Sequence, residues 1–328
     1  MIWTSWRLQR LQLLTLLGML VVGAAAIVLL RSNMVDTITS TGLAQCVTQD
    51  VKDCTASEAM TDFRAAWSNL FYLGQAAILG LPALVGVFIG APLFARELEQ
   101  GTHVLAFTQS VSRTRWMVSK LVVALVPAVI VLAVLQYLVW WWLSSAGALG
   151  PLNNGPYNAI NFSIAHASPV GYALFAFALG TFLGVVSRRT LVAMTAGLAA
   201  FIAMRFALSA VVDRFAPTQR METTGDKSLG VETDGSLVLG RGWLDAAGLP
   251  VPEDRARTLI QACKAPTGAK PSQEEFLACL PRSGLAKRYA YYIPESQAWQ
   301  VHLVDLAVFG VLAGLLLVGT AWALRRQS

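Results

Sequence analysis

Histidine is scarce in this sequence, with three in 328 residues. His103, His166 and His302 stand far apart and share no ligand spacing with cysteine, so a zinc site of ordinary spacing is excluded. Charge is scarce too: 13% of residues are charged and 55% are hydrophobic, unlike an ordinary soluble domain. A phosphate-cradling Walker A loop is missing. Gly225-Asp226-Lys227-Ser228 lacks the glycine directly before the lysine, and no strand–loop–helix pattern surrounds it. The chain therefore does not hydrolyse ATP by that route. Neither a serine-elbow motif nor a His-Glu-x-x-His helix occurs. No nucleophile and base pair up convincingly at membrane depth, so a catalytic role is not expected. The formal charge of +6 comes from dispersed basic residues without a nucleic-acid reader motif, so no nucleic-acid partner is expected.

What the sequence does hold is long apolar runs. Six match the roughly 30 Å hydrocarbon thickness at about 1.5 Å per residue. They cover about 11–30, 66–94, 121–143, 169–186, 191–212 and 302–324. The expected fold is an all-α polytopic membrane protein with six transmembrane helices and both termini cytoplasmic. A large extracellular loop domain is expected between helices five and six. The chain divides into 1–212 (helices one to five, with a cytoplasmic loop at 96–120), 213–300 (the outer loop domain) and 301–328 (helix six and a basic C-terminus). No internal repeat is evident.

The first run follows basic residues, as a signal peptide does. It is longer than a signal h-region and no small-residue cleavage site follows, so an uncleaved helix is expected. Met1–Arg10 carries Trp3, Trp6, Arg7 and Arg10 and is expected to lie as a short helix in the inner interface. Arg31 to about Asp62 reads as a polar loop. Pro82 and Pro127 fall inside the second and third spans, and Pro82 is expected to kink its helix.

Charge, tryptophan and cysteine converge on one orientation. With cytoplasmic termini, Arg7, Arg10, Arg96, Arg113, Arg115, Lys120, Arg188, Arg189, Arg325 and Arg326 lie inside. Only Arg31, Lys52 and Arg64 occupy the short outer loops. Trp3, Trp6, Trp116 and Trp322 fall at the inner interface, and Trp67, Trp140, Trp141, Trp142 and Trp299 at the outer one. Cys46, Cys54, Cys263 and Cys279 all fall outside, where disulfides form. Three pairings are open to four cysteines. Loop sharing favours Cys46 with Cys54 and Cys263 with Cys279.

Arg205 is the one basic side chain well inside a span, where an arginine costs roughly 2.5–3.5 kcal/mol on insertion scales and calls for a partner. Asp305 lies at a compatible depth in the last span. An intramembrane ion pair is expected, acting as part of a gate or as a helix clamp. Gln75 and Gln136 are mid-span amides that either line a cavity or bond a neighbouring helix. The pairs Gly86/Gly90, Gly180/Gly184 and Gly310/Gly314 permit close helix contact.

The segment Arg96-Glu97-Leu98-Glu99-Gln100-Gly101-Thr102, followed by Thr108-Gln109-Ser110-Val111-Ser112-Arg113-Thr114-Arg115-Trp116, resembles the first cytoplasmic loop of type-2 ABC exporter permeases. The similarity is strongest to a group common in actinobacteria. Ala203-Met204-Arg205-Phe206 and Tyr292-Ile293-Pro294 are similar to the same group. The resemblance implies a transmembrane subunit without its own ATPase or cofactor, with ATP and Mg bound in a separate ATP-binding cassette subunit. It implies a second copy of the permease, a bacterial plasma-membrane location, and outward movement of substrate. The loop between spans two and three would be the ATPase-coupling element, with Glu97, Glu99, Gly101, Thr102, Val104, Leu105, Phe107, Arg113 and Arg115 as its residues. In physical terms, Gly101 can end the second span's extension. Thr102 can cap a short helix, and Val104, Leu105 and Phe107 give it an apolar stripe for a partner's groove. Ser112 can cap the next helix, with Arg113 and Arg115 at lipid headgroups. An uncharged membrane path suits an amphipathic or apolar substrate. The alternative is a membrane sensor or regulatory binding protein with an extracellular ligand domain.

Overall fold

The computed structural model describes residues 2–48, 57–101, 113–212, 217–224, 235–264 and 272–326. Cys54, Thr102, Val104, Leu105, Phe107 and Ser112 lie outside them. Two compact units emerge. The first comprises Met1–Asn154, Asn158–Val212 and His302–Ser328, and the second comprises Gly155–Tyr157 and Asp213–Val301.

In the first unit, α1 spans Ile2–Ser40 and α2 spans Ala44–Thr48. Helix α3 (Ser57–Leu84) runs through a π turn at Val85–Gly90 into α4 (Pro92–Glu99). Next come α5 (Arg113–Ser144), the short α6 (Ala159–Ile164), α7 (Ser168–Ser187) and α8 (Thr190–Val212). Helix α11 (Ala298–Arg326) closes the chain. Among the described residues, six helices are long and apolar enough to cross a membrane.

The first helix corrects two expectations. No break separates residues 2–10 from the first span, so the basic, tryptophan-bearing start is the first turns of α1 and not a separate interfacial helix. The same helix runs on through Arg31 and Asp36 to Ser40. A helix interior satisfies its own backbone hydrogen bonds, so polar side chains alone do not end it. Arg31 remains compatible with the apolar surroundings by laying its guanidinium 3.9 Å over the Trp141 ring and donating from Nε to Ser145 Oγ at 2.8 Å.

Helix α7 is the most buried of the six spans and forms the spine of the unit. It packs against α3, the π turn, α4, α5 and α8. Small residues allow the approach: a Cβ on Gly86 would stand 2.7 Å from the Ala176 carbonyl oxygen, so only glycine fits there. The π turn follows Pro82, and the Ala91 N–H donates to Gly86 O at 2.9 Å, five residues back. Trp142, Phe94, Phe177 and Phe309 are the largest fully buried side chains of the bundle.

The second unit corrects the all-α expectation. It contains an antiparallel four-stranded sheet of order β1-β4-β2-β3, built from Gln219–Thr224, Leu237–Leu244, Pro250–Val251 and Lys287–Ile293. The aromatic-rich run Tyr289, Tyr291, Tyr292 has the side chains strands favour. Helices α9 (Glu253–Lys264) and α10 (Gln273–Arg282) complete the unit. Cys263 and Cys279 join them through a disulfide with Cα atoms 5.7 Å apart. Ala256, Cys263, Leu280 and Leu285 are buried together with it. Ser272 and Glu275 form a reciprocal capping box at the start of α10.

Candidate functional site

Two polar assemblies sit in the bundle, one at each end of the spans. The first is built from the helices that precede and follow residues 102–112 in sequence, together with the start of α8. Gly101 terminates α4 at φ +69°, a left-handed conformation that costs glycine nothing. On the last turns of α4, Glu97 forms an ion pair with Lys120 of α5. Lys120 is 3% exposed. Its Nζ also lies 4.7 Å from the centroid of the Trp116 ring, where the ring quadrupole attracts a cation. Two residues on, Glu99 reaches a different helix: its Oε2 accepts from the Thr190 N–H at 3.2 Å and from Thr190 Oγ1 at 2.9 Å. Thr190 begins α8, and a carboxylate there satisfies orphan N–H groups and complements the helix dipole. The tight α7–α8 connection is made by Arg188 in the left-handed region, φ 53°, whose N–H closes on Gly184 O at 3.2 Å.

The two acids expected to face an ATPase therefore engage the chain's own helices. Glu97 is tied to the third span and Glu99 to the fifth. Arg113 opens α5 and Arg115 is exposed on its first turn.

The second assembly contains Arg205 and Asp305. They do not form a direct ion pair. Tyr172 of α7 stands between them, its ring face 3.8 Å from the Arg205 guanidinium and its hydroxyl donating to Asp305 Oδ2 at 2.5 Å. Arg205 Nη2 donates to Ser163 Oγ at 2.6 Å, and that hydroxyl donates onward to Ala159 O. An aromatic face plus a hydroxyl gives the guanidinium the partners that the carboxylate was expected to supply.

One turn before Asp305 on α11, His302 is fully buried. Its Nδ1 lies 2.8 Å from Ser168 Oγ, and its ring is stacked between Phe162 at 4.2 Å and His166 at 4.6 Å. Serine and histidine do pair, in the first turn of α7 and near the start of α11, at the ends of their spans. Both side chains are 0% exposed, so the hydroxyl has no approach for a substrate. Sequence reasoning missed Tyr172, Ser163, Ser168 and His302. A usable signal existed: Ser168 and Tyr172 are four apart, and His302 and Asp305 three apart, on otherwise apolar helices.

Gln75 is buried and donates to Asn161 Oδ1 at 2.9 Å, while Asn161 Nδ2 donates to Pro151 O at 2.9 Å. It also lines a cleft of about 510 Å³. Gln136 Nε2 donates to the His166 carbonyl at 2.6 Å and borders a void of only about 20 Å³. His166 takes φ 50°, the left-handed turn between α6 and α7. Cys46 is disulfide-bonded.

These features define a helical multi-pass membrane protein whose intramembrane polar groups are largely matched to one another. Residues 17–213 match the family described as ABC-2 membrane transporter related, and the chain belongs to that family. The match covers more than half of the chain, takes in most of α1 and the next four spans, and ends where the second unit begins. Membership makes this a transmembrane transporter component, of a class that is generally not itself catalytic. No curated protein and no solved structure matches the chain.

Proposed function

We propose that this chain is the permease subunit of an ATP-driven exporter, working as two copies with separate ATP-binding cassette subunits. The resemblance of Arg96–Thr102 and Thr108–Trp116 supports a place in the actinobacterial-type group. ATP and Mg are held by the partner, and the chain carries no cofactor. The coupling element is the 96–120 region, with Val104, Leu105 and Phe107 as its apolar grip. The observation that carries this reading is the bracketing of residues 102–112. The helix before that segment is fastened to α5 and α8 through Glu97 and Glu99, so a push on the segment acts on three spans. Glu97 and Glu99 then serve as anchors of the coupling element.

Charge asymmetry supports cytoplasmic termini and an extracellular 213–300 unit in a bacterial plasma membrane. The disulfide in that unit fits an oxidising compartment. The internally matched polar groups suit an amphipathic or apolar substrate. A sensor with an extracellular ligand domain is the second reading, and the compact sheet-bearing second unit favours it.

Co-expression with an ATPase encoded by a neighbouring reading frame tests the proposal. The expected result is a stable complex whose ATP turnover depends on this chain and loses that dependence in Phe107→Asp. A chain that binds no such ATPase moves the sensor reading ahead.

A further inference from the structure

The cleft of about 510 Å³ lies along one stripe of α3. Arg64, Ser68, Tyr72 and Gln75 follow one another at helical spacings of four, four and three, so they share a face. From Arg64 to Gln75 the stripe runs about 16 Å along the helix axis, from the polar start of the span into its apolar part. The facing wall is rich in amides, with Asn154, Asn158 and Asn161 contributed by the segment after α5. The Gln75–Asn161 hydrogen bond closes the deep end.

Three properties define what fits. The volume lies within the usual roughly 300–1,000 Å³ range of small-molecule sites. Among the described residues no carboxylate lines the cleft, and Arg64 has no ion pair or hydrogen bond there. Asp62, two residues earlier, projects from nearly the opposite side of the helix at about 200°. The lining is not wholly polar: it includes Phe71 and Tyr72, and Tyr72 is 63% exposed on a helix of membrane-spanning length. An unpaired cation at the polar end, amide donors along one wall and a partly apolar lining suit a ligand with a phosphate at one end and acyl chains at the other.

We propose that this cleft is a headgroup site for a phosphate-bearing amphiphile of the glycerophospholipid class. The phosphate sits on Arg64, neutral headgroup oxygens take the Asn154 and Asn158 amides, and the acyl chains leave past Tyr72 into the bilayer. The site is lateral and belongs to a single chain. It stands independently of the ATPase and export assignments.

The test is ligand retention by the purified full chain in detergent, read by native mass spectrometry. The probes are phosphatidylglycerol, diacylglycerol and inorganic phosphate. Phosphatidylglycerol is expected to be retained at least about tenfold better than diacylglycerol, the size of one charge-assisted contact. Arg64→Gln should remove most of that preference. Ser68→Trp, which fills the cleft from an exposed position, should abolish retention. Thermal unfolding confirms that both variants fold; if either does not, Asn154→Leu takes its place. Equal retention of the two lipids, or unchanged retention in the folded variants, overturns the proposal. Displacement of the lipid by low-millimolar inorganic phosphate overturns the lipid assignment and gives the site to a free anion.

Discussion

Lys120 is held against Glu97 at the point where the third span leaves the 102–112 segment, and the lysine is almost wholly buried while the glutamate is partly open. That asymmetry determines what mutations do. A buried charge that loses its partner is expensive, whereas replacing both members by neutral groups is often harmless.

Glu97→Gln is therefore expected to destabilise the folded chain by roughly 2–4 kcal/mol, because Lys120 is left buried without its partner. Adding Lys120→Met should recover most of the loss. Thermal unfolding of the single and double variants in detergent checks this, and a double variant worse than Glu97→Gln would sink the assignment of a buried pair.

Tyr172→Phe removes one hydroxyl. It removes one of the two hydroxyl donors that α7 offers Asp305, Ser168 being the other, and is expected to cost about 1.5–3 kcal/mol, as for a hydrogen bond to a charged group. Asp305→Asn should cost less, since the amide oxygen still accepts from Tyr172. Equal losses in the two variants would argue against the tyrosine relay.

Gly86→Val puts branched bulk against the α7 backbone and should cost about 1–3 kcal/mol or more, as overpacking does. Gly310→Ala has open space around the new methyl and is expected to be neutral or to stabilise by up to about 1 kcal/mol through helix propensity. Unfolding midpoints of the two variants measured side by side give the contrast.

Cys263→Ser opens the cross-link between α9 and α10, which spans a sequence separation of 16. Loop-closure entropy puts the loss at roughly 3 kcal/mol. The readout is limited proteolysis of the full chain: new cleavages should fall within 213–301, while the spans stay protected.

The spans were legible because about 20 apolar residues in a row have few other uses. The polar relay was legible only at its ends. Arg205 and Asp305 stand out as charges inside apolar runs, but Tyr172 is an ordinary residue for a membrane helix, and its role depends on which rings meet in space. Glu97 and Glu99 carried a functional reading from the motif around them. Their actual partners, Lys120 and Thr190, are 23 and 91 positions away, and no local pattern reports such pairings. The sheet of the second unit was hidden for another reason. Gln219–Thr224 is short and almost wholly exposed, so it lacks the alternation that marks a half-buried strand. The continuity of α1 past Arg31 was missed because polarity was read as a loop signal, although nothing there breaks a helix.

The π turn at Val85–Gly90 holds one residue more than an α turn would in the same rise. Each α-helical residue turns the helix by about 100°, so winding this turn as ordinary α-helix with its residue count unchanged would rotate α4 by that angle relative to α3. Phe63, Trp67, Phe71 and Gln75 would keep their bearing, while Glu97 and Glu99 would swing away from Lys120 and Thr190. The turn thus acts as a phase shifter in a single rod. It sets the compass heading of the acids at one end independently of the aromatic stripe at the other.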